Sequence, residues 1–84
     1  MADIIIYTKA NCPYCDHAKA LLNTKKASFQ EIRIDLNEDK RDEMMRLSGR
    51  RTVPQIFING TAIGGYDDLA TLEKSGKLSA LLAE

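Results

Sequence analysis

The feature that most constrains the fold of this chain is a short turn between two β-prone runs. Residues 55–58 and 61–63 are separated only by Asn59-Gly60. This dipeptide strongly favours a two-residue hairpin turn, because both of its residues tolerate a positive φ. The two runs are therefore expected to pair as antiparallel neighbours in one sheet. With 84 residues, the chain is expected to form one domain, 1–84, with a modest hydrophobic core.

The N-terminal half indicates a strand, a helix and a second strand. The run Ile4-Ile5-Ile6-Tyr7 is typical of a strand covered on both faces. Pro13 suits the first turn of a helix over about 13–25. The apolar residues of this helix recur at helical spacing: Cys15, Ala18, Leu21 and Leu22. A half-buried strand follows over 29–35, and a unit of this kind normally joins two parallel strands by a right-handed crossover. Its apolar positions alternate with polar ones: Ile32, Ile34 and Leu36.

Three further helical segments complete the order β-α-β-α-β-β-α-α, an α/β fold with a mixed sheet. Asn37 is expected to cap a helix that ends at Gly49. Its apolar side comes from Met44, Met45 and Leu47. Asp67 or Asp68 is expected to cap the next helix, which ends at Gly76. The last amphipathic turns carry Leu78, Leu81 and Leu82.

Composition argues against several classes of function. Twelve Lys and Arg residues balance 12 Asp and Glu residues, so net charge does not indicate a nucleic-acid partner. No apolar run approaches the length of a membrane span, and no secretory signal is recognisable. We therefore expect a cytoplasmic protein without a membrane or nucleic-acid partner. The basic pairs are interpreted as solvated surface, with steering of acidic partners as the alternative: Lys25-Lys26, Lys40-Arg41 and Arg50-Arg51.

Both cysteines of the chain lie in the segment Asn11-Cys12-Pro13-Tyr14-Cys15. A structural disulfide is disfavoured, because such bonds are rare in the cytoplasm and so short a loop adds little stability. An intrachain zinc site is disfavoured because it needs four ligands. The single histidine, His17, would point away from Cys12 on a helix and is interpreted as a solvated surface residue. A redox pair is the favoured interpretation.

The start of a helix is a suitable place for a reactive thiol. The helix dipole and the unpaired N–H groups favour negative charge at Cys12, and the first thiol of a Cys-X-X-Cys pair commonly has a lowered pKa there. Lys9 adds positive charge in the same loop. Cys15 lies one turn inside the helix and is expected to be more buried. These positions suit an attacking thiol and a resolving thiol respectively.

Two other segments are ambiguous by themselves. Pro54 belongs at the beginning of its strand, because proline cannot donate a hydrogen bond within a ladder. The segment from Gly64 to Asp68, Gly-Gly-Tyr-Asp-Asp, is consistent with a tight turn followed by a helix cap. By itself this interpretation is the favoured one, and the alternative is a helix N-terminus that binds a carboxylate or a phosphate.

Taken together, four blocks resemble the glutaredoxin family, and closely its small bacterial dithiol members. They are YTKANCPYC from Tyr7, SGRRTVPQIFING from Ser48, IGGYDDL from Ile63 and the helical C-terminal end. The resemblance covers essentially the whole chain and implies a thioredoxin-like fold, with a four-stranded mixed sheet flanked by helices on both faces. It implies a cis peptide bond before Pro54 that places the backbone of Thr52 and Val53 beside Cys12. One departure is Tyr66, where many relatives carry a third cysteine.

The resemblance also implies that the ligand is glutathione. Val53, in the segment Thr52-Val53-Pro54, would pair its backbone with the cysteinyl part, as an added strand would. The glycine carboxylate would be surrounded by Lys9, Tyr14 and Arg41. The γ-glutamyl end would lie against Gly65, Tyr66, Asp67 and Asp68.

The implied activity is that of a glutathione-dependent thiol–disulfide oxidoreductase. It would reduce protein–glutathione mixed disulfides and protein disulfides through Cys12 and Cys15, with glutathione as reducing cosubstrate and neither a metal nor a permanently bound cofactor. The implied partners are glutathionylated or disulfide-containing proteins such as ribonucleotide reductase, and we expect a monomer. Two alternatives stay open. One is a glutathione-ligated iron–sulfur cluster carrier, which Pro13 and Cys15 disfavour within the family. The other is a thioredoxin-like disulfide reductase, which is disfavoured by the Pro13-Tyr14 dipeptide, by Lys9 and by the Gly-Gly-Tyr-Asp-Asp segment.

Overall fold

The structure, a computed structural model, describes residues 2–83 of the chain. The elements follow in the predicted order. They are β1 Ile4–Thr8, α1 Pro13–Thr24, β2 Gln30–Arg33, α2 Glu38–Ser48, β3 Gln55–Ile58, β4 Thr61–Gly64, α3 Tyr66–Lys74 and α4 Lys77–Leu82. Within the described part of the chain, no helix is both long and apolar enough to cross a membrane.

The four strands form one mixed sheet in the order β2-β1-β3-β4. Strand β1 runs parallel to β2 and antiparallel to β3, and β3 is antiparallel to β4. The β3–β4 turn places Asn59 at φ 51° and Gly60 at φ 81°, the positive values that a type I′ hairpin turn requires. The structure therefore confirms the predicted sheet and the hairpin.

Hydrophobic side chains pack on both faces of the sheet, because successive residues of a strand point to opposite sides. One face packs against α1, α3 and α4, and its core contains Ile4, Ile6, Ala18, Leu22, Ile56, Ile58, Leu69 and Leu78. The other face packs against α2, and its core contains Tyr7, Ile34, Met44 and Phe57. This double coverage explains why β1 is an uninterrupted apolar run.

Two apolar residues are not where the sequence analysis places them. Strand β2 ends at Arg33. The Ile34 N–H still donates to the Thr8 carbonyl at 2.9 Å, but the chain then turns towards α2. Leu36 is consequently 75% exposed, so its predicted place in a half-buried strand is wrong. Leu47 is 53% exposed at the margin of the α2 face, whereas Met44 fills the centre of that face.

The helix ends follow the predicted capping residues except at α3. Asn37 Oδ1 accepts a hydrogen bond from the Asp39 N–H at 2.9 Å, and Gly49 ends α2 in a left-handed conformation at φ 71°. At α3, however, the N-cap is Gly65, so the prediction of Asp67 or Asp68 at that position is wrong. Asp68 instead caps from within the first turn, where its carboxylate accepts the Gly65 N–H at 3.0 Å.

Candidate active site

Cys12 is the N-cap of helix α1, and Pro13 takes the first helical position. The Cys12 Sγ accepts a hydrogen bond from the Cys15 N–H at 3.2 Å, and the two sulfurs are joined in a disulfide. Cys15 is 1% exposed, against 8% for Cys12. Cys12 is therefore the more accessible residue of the two, and the predicted burial of Cys15 is confirmed.

The segment before strand β3 lies beside this sulfur. The Val53–Pro54 peptide bond is cis, and the Val53 carbonyl oxygen lies 3.9 Å from the Cys12 Sγ. The fully buried Gln55 stabilises this segment, because its Nε2 donates a hydrogen bond to the Thr52 carbonyl at 3.0 Å. The expectation that the Thr52–Val53 backbone lies beside Cys12 is confirmed.

Two grooves meet at Thr52 and Val53. The first, which we call the basic groove, has a volume of about 590 Å³. It is lined by Lys9, Ile34, Asp35, Glu38, Arg41, Arg51, Thr52 and Val53. The second, which we call the α3 groove, has a volume of about 350 Å³. It is lined by Tyr14, Arg50, Thr52, Val53, Pro54, Gly65, Tyr66, Asp67 and Asp68. Thr52 and Val53 therefore border both grooves.

In the basic groove, Asp35 is already engaged by protein groups. Its carboxylate accepts two hydrogen bonds from Arg33, at 2.7 and 2.6 Å, and one from the Ala10 N–H at 3.2 Å. The Arg33 guanidinium, helped by that N–H, holds the pKa of Asp35 well below its usual range. Through its hydrogen bond with the Ala10 N–H, Asp35 stabilises the loop that carries Lys9. It is not available to neutralise the cations of the groove.

In the α3 groove, the lining cation, Arg50, is paired with a lining carboxylate, that of Asp68. Asp68 Oδ2 accepts the Gly65 N–H at 3.0 Å and the Arg50 Nη1 at 2.9 Å. These two donors, the backbone N–H first, lower the pKa of Asp68. Gly64 lies against this pair at φ 115°, and a Cβ at that position would collide with the Asp68 carboxylate.

Comparison with known proteins identifies the family. The glutaredoxin family model matches residues 4–63. Glutaredoxin 3 of Escherichia coli K12 is 58% identical over 82 residues, which cover 98% of this chain and 99% of that protein. A glutaredoxin of Pseudomonas aeruginosa is 52% identical over 83 residues, covering 99% of both chains.

This chain belongs to the glutaredoxin family.

Solved structures of other glutaredoxins show the same fold. The solution structure of glutaredoxin from Brucella melitensis is 54% identical with a TM-score of 0.86, and the match covers 98% of this chain and 89% of that one. The crystal structure of a buckwheat glutaredoxin–glutathione complex is 32% identical with a TM-score of 0.89, over 98% and 77% of the two chains. The predicted thioredoxin-like fold is confirmed. As a glutaredoxin, the protein is a glutathione-dependent thiol–disulfide oxidoreductase that carries its redox pair at Cys12 and Cys15.

The residues that the resemblance assigns to glutathione are divided between the two grooves of this glutaredoxin. Lys9 and Arg41 line the basic groove together, whereas Tyr14 lies in the α3 groove. Tyr14 is the second residue of α1, and its ring stacks on Tyr66 at a centroid distance of 6.1 Å. The structure thus does not group Tyr14 with Lys9 and Arg41. The exposed His17 completes this aromatic cluster, 5.6 Å from Tyr66, as expected of a surface residue.

Three residues of this region are not predicted as site residues from the sequence. Arg51 lines the basic groove, Arg50 pairs with Asp68, and Gln55 supports Thr52. The sequence favours solvated surface for the Arg50-Arg51 pair, although the position of this pair directly before Thr-Val-Pro is an available signal for the site. Among residues 2–83, no group of three or more His, Cys, Asp or Glu side chains is arranged to hold a metal ion.

Proposed function

We propose that Cys12 is the attacking thiol of this glutaredoxin and that Cys15 is the resolving thiol. Cys12 is the more exposed residue of the pair, and its sulfur accepts a hydrogen bond from the Cys15 N–H. In the reduced protein, that N–H and the start of α1 would stabilise a negative charge on the Cys12 sulfur. Cys15 is buried behind Cys12, from where it can attack only a disulfide already formed at Cys12.

Glutathione would lie across Val53 with its two charged ends in different grooves. The observation that carries this proposal is that Val53 borders both grooves and that its carbonyl oxygen lies 3.9 Å from the Cys12 sulfur. The cysteinyl part would pair with the Val53 backbone, between Thr52 and Pro54. The glycine carboxylate would be bound by Lys9 and Arg41 in the basic groove. The γ-glutamyl end would be bound in the α3 groove by Tyr14, Gly65, Tyr66, Asp67 and Asp68.

The reaction would proceed by two thiol–disulfide exchanges. The Cys12 thiolate attacks the glutathione sulfur of a protein–glutathione mixed disulfide, and the protein thiolate leaves and takes up a proton. A second glutathione thiolate then attacks the glutathione sulfur on Cys12, which releases glutathione disulfide and regenerates the Cys12 thiolate. With a protein disulfide as substrate, Cys15 attacks the mixed disulfide at Cys12, and two glutathione molecules later reduce the Cys12–Cys15 bond.

We also propose that residues 1–84 act as one domain and as a monomer in the cytoplasm. Glutathione would be a cosubstrate rather than a permanently bound cofactor. The protein substrates would be glutathionylated or disulfide-containing proteins, including reductive enzymes of the ribonucleotide reductase class. Packing of helices on both faces of the sheet supports a domain that folds without a partner.

Turnover of a glutathionylated peptide with glutathione, glutathione reductase and NADPH tests the proposal. Cys12→Ser should abolish activity, because no other thiol is positioned to attack the glutathione sulfur. Cys15→Ser should retain deglutathionylation but lose glutathione-dependent reduction of a protein disulfide. Equal loss in both variants would contradict this division of roles. Wild-type activity that requires thioredoxin reductase instead of glutathione would contradict the proposed glutathione site.

A further inference from the structure

The basic groove contains more positive charge than one glycine carboxylate balances. Lys9, Arg41 and Arg51 all line it, and within residues 2–83 none of the three forms an ion pair. The acidic lining residues are Asp35, which is paired with Arg33, and Glu38. The unpaired lining charges therefore sum to about two positive charges, of which glutathione would neutralise one.

The size of the basic groove also exceeds what a glycine residue fills. Its volume of about 590 Å³ falls in the range of pockets that hold whole drug-sized ligands, roughly 300–1,000 Å³. Glutathione would in addition spread over the α3 groove. With the glycine end of glutathione bound, the basic groove would thus still contain unfilled volume and unpaired positive charge.

The α3 groove provides the internal comparison. Its cation, Arg50, is already held by Asp68 at 2.9 Å, although it is the chain neighbour of Arg51. The surplus positive charge is therefore local to the basic groove. It is not a general property of a protein whose formal net charge is +0.

We propose that the basic groove binds an acidic segment of the protein substrate beside the glycine carboxylate of glutathione, with Arg51 as its main contact. This inference rests on the proposed function, because it concerns substrates that are attacked at Cys12. Arg51 directly precedes Thr52 and Val53 in the chain, and the Val53 carbonyl oxygen lies 3.9 Å from the Cys12 sulfur. A guanidinium can bind a carboxylate through two parallel hydrogen bonds, which favours an arginine over Lys9 for this contact, and Arg41 is already assigned to the glycine carboxylate of glutathione. The favoured substrates are glutathionylated proteins with Asp or Glu near the modified cysteine.

The test uses three glutathionylated peptides that differ only in the residues flanking cysteine: aspartates, lysines or serines. For each enzyme variant, the ratio of kcat/KM for the aspartate peptide to that for the lysine peptide is measured at low ionic strength. We expect a ratio of about three to five for the wild type, the size of one exposed ion pair. Arg51→Gln should bring the ratio close to one and Arg51→Glu should invert it, whereas Arg51→Lys should retain only part of it, because an ammonium group keeps the charge but cannot form the two parallel hydrogen bonds. The matched control is Lys77→Gln, an exposed cation outside both grooves, which should leave the ratio unchanged.

The ratio within each variant cancels any general effect of a substitution on glutathione binding. The wild-type ratio should fall towards one as salt is added, because exposed charges are screened. A ratio near one in the wild type, with normal turnover of the serine peptide, would overturn the inference and leave the proposed function intact. A ratio that survives Arg51→Gln would overturn the assignment to Arg51. Absence of turnover with the serine peptide would overturn the proposed function and the inference together.

Discussion

Gly64 offers a sharp test of how the α3 groove is built. Its φ is 115°, a region that residues with a side chain rarely adopt, and a Cβ there would meet the Asp68 carboxylate. In Gly64→Ala, the Asp68 side chain can rotate away, so the overlap itself is relieved cheaply. The rotation, however, breaks the 3.0 Å bond to the Gly65 N–H and the 2.9 Å pair with Arg50.

The magnitude follows from a comparison with Gly60→Ala. Gly60 also has a positive φ, 81°, but a Cβ there would have no neighbour within 4 Å. Both substitutions carry backbone strain of about 1–3 kcal/mol. Gly64→Ala should lose in addition the helix-cap bond, about 1 kcal/mol, and an exposed ion pair, at most about 1 kcal/mol. We expect Gly64→Ala to be about 1–2 kcal/mol less stable than Gly60→Ala.

Urea unfolding of the reduced proteins measures the two free energies of unfolding, and the peptide turnover assay measures KM for glutathione. Gly64→Ala should raise KM by several-fold, because the γ-glutamyl site is displaced, whereas Gly60→Ala should leave KM unchanged. Equal stabilities of the two variants, or an unchanged KM in Gly64→Ala, would refute the role given to the Gly64–Asp68 contact.

Two further predictions concern buried polar groups. Burial, and then the 2.6 Å bond to Glu43, raises the pKa of Tyr7 from its ordinary value of 10.0 to about 12. Because the folded protein holds this proton more tightly, its contribution to stability is complete below about pH 10 and is lost as the pH rises towards 12. Ultraviolet titration should therefore show a tyrosine transition near pH 12 that is absent in Tyr7→Phe, and its persistence in that variant would contradict the assignment. Gln55→Met should cost about 1–3 kcal/mol in urea unfolding, because the Thr52 carbonyl loses its donor, and should raise KM for glutathione. The exposed Gln30→Met is the control, and an equal effect of the two substitutions would count against Gln55 as the support of Thr52.

Features that depend on neighbouring residues were predictable from the sequence. The Asn59-Gly60 turn, the Asn37 cap and Pro13 at the start of α1 each depend on local backbone preferences, and all three were confirmed. The apolar run of β1 likewise predicted a strand covered on both faces. The predictions for Leu36 and Leu47 were wrong because a periodic apolar pattern continues beyond the packed region. Leu36 follows the end of strand β2, and Leu47 lies at the edge of the surface that α2 buries against the sheet. Periodicity marks a face, but it does not show where packing stops.

The sequence alone determined the redox pair, its place at a helix start and the order of the elements, because these follow from residue types a few positions apart. Tertiary structure decided what surrounds that pair. Val53 lies 41 residues from Cys12 along the chain, and Arg50 lies 18 residues from Asp68. No local pattern encodes those distances, since they depend on the strand register and on the packing of α1 and α3 on one face. For the same reason, only the folded chain separates Tyr14 from Lys9 and gives the neighbouring residues Arg50 and Arg51 different grooves.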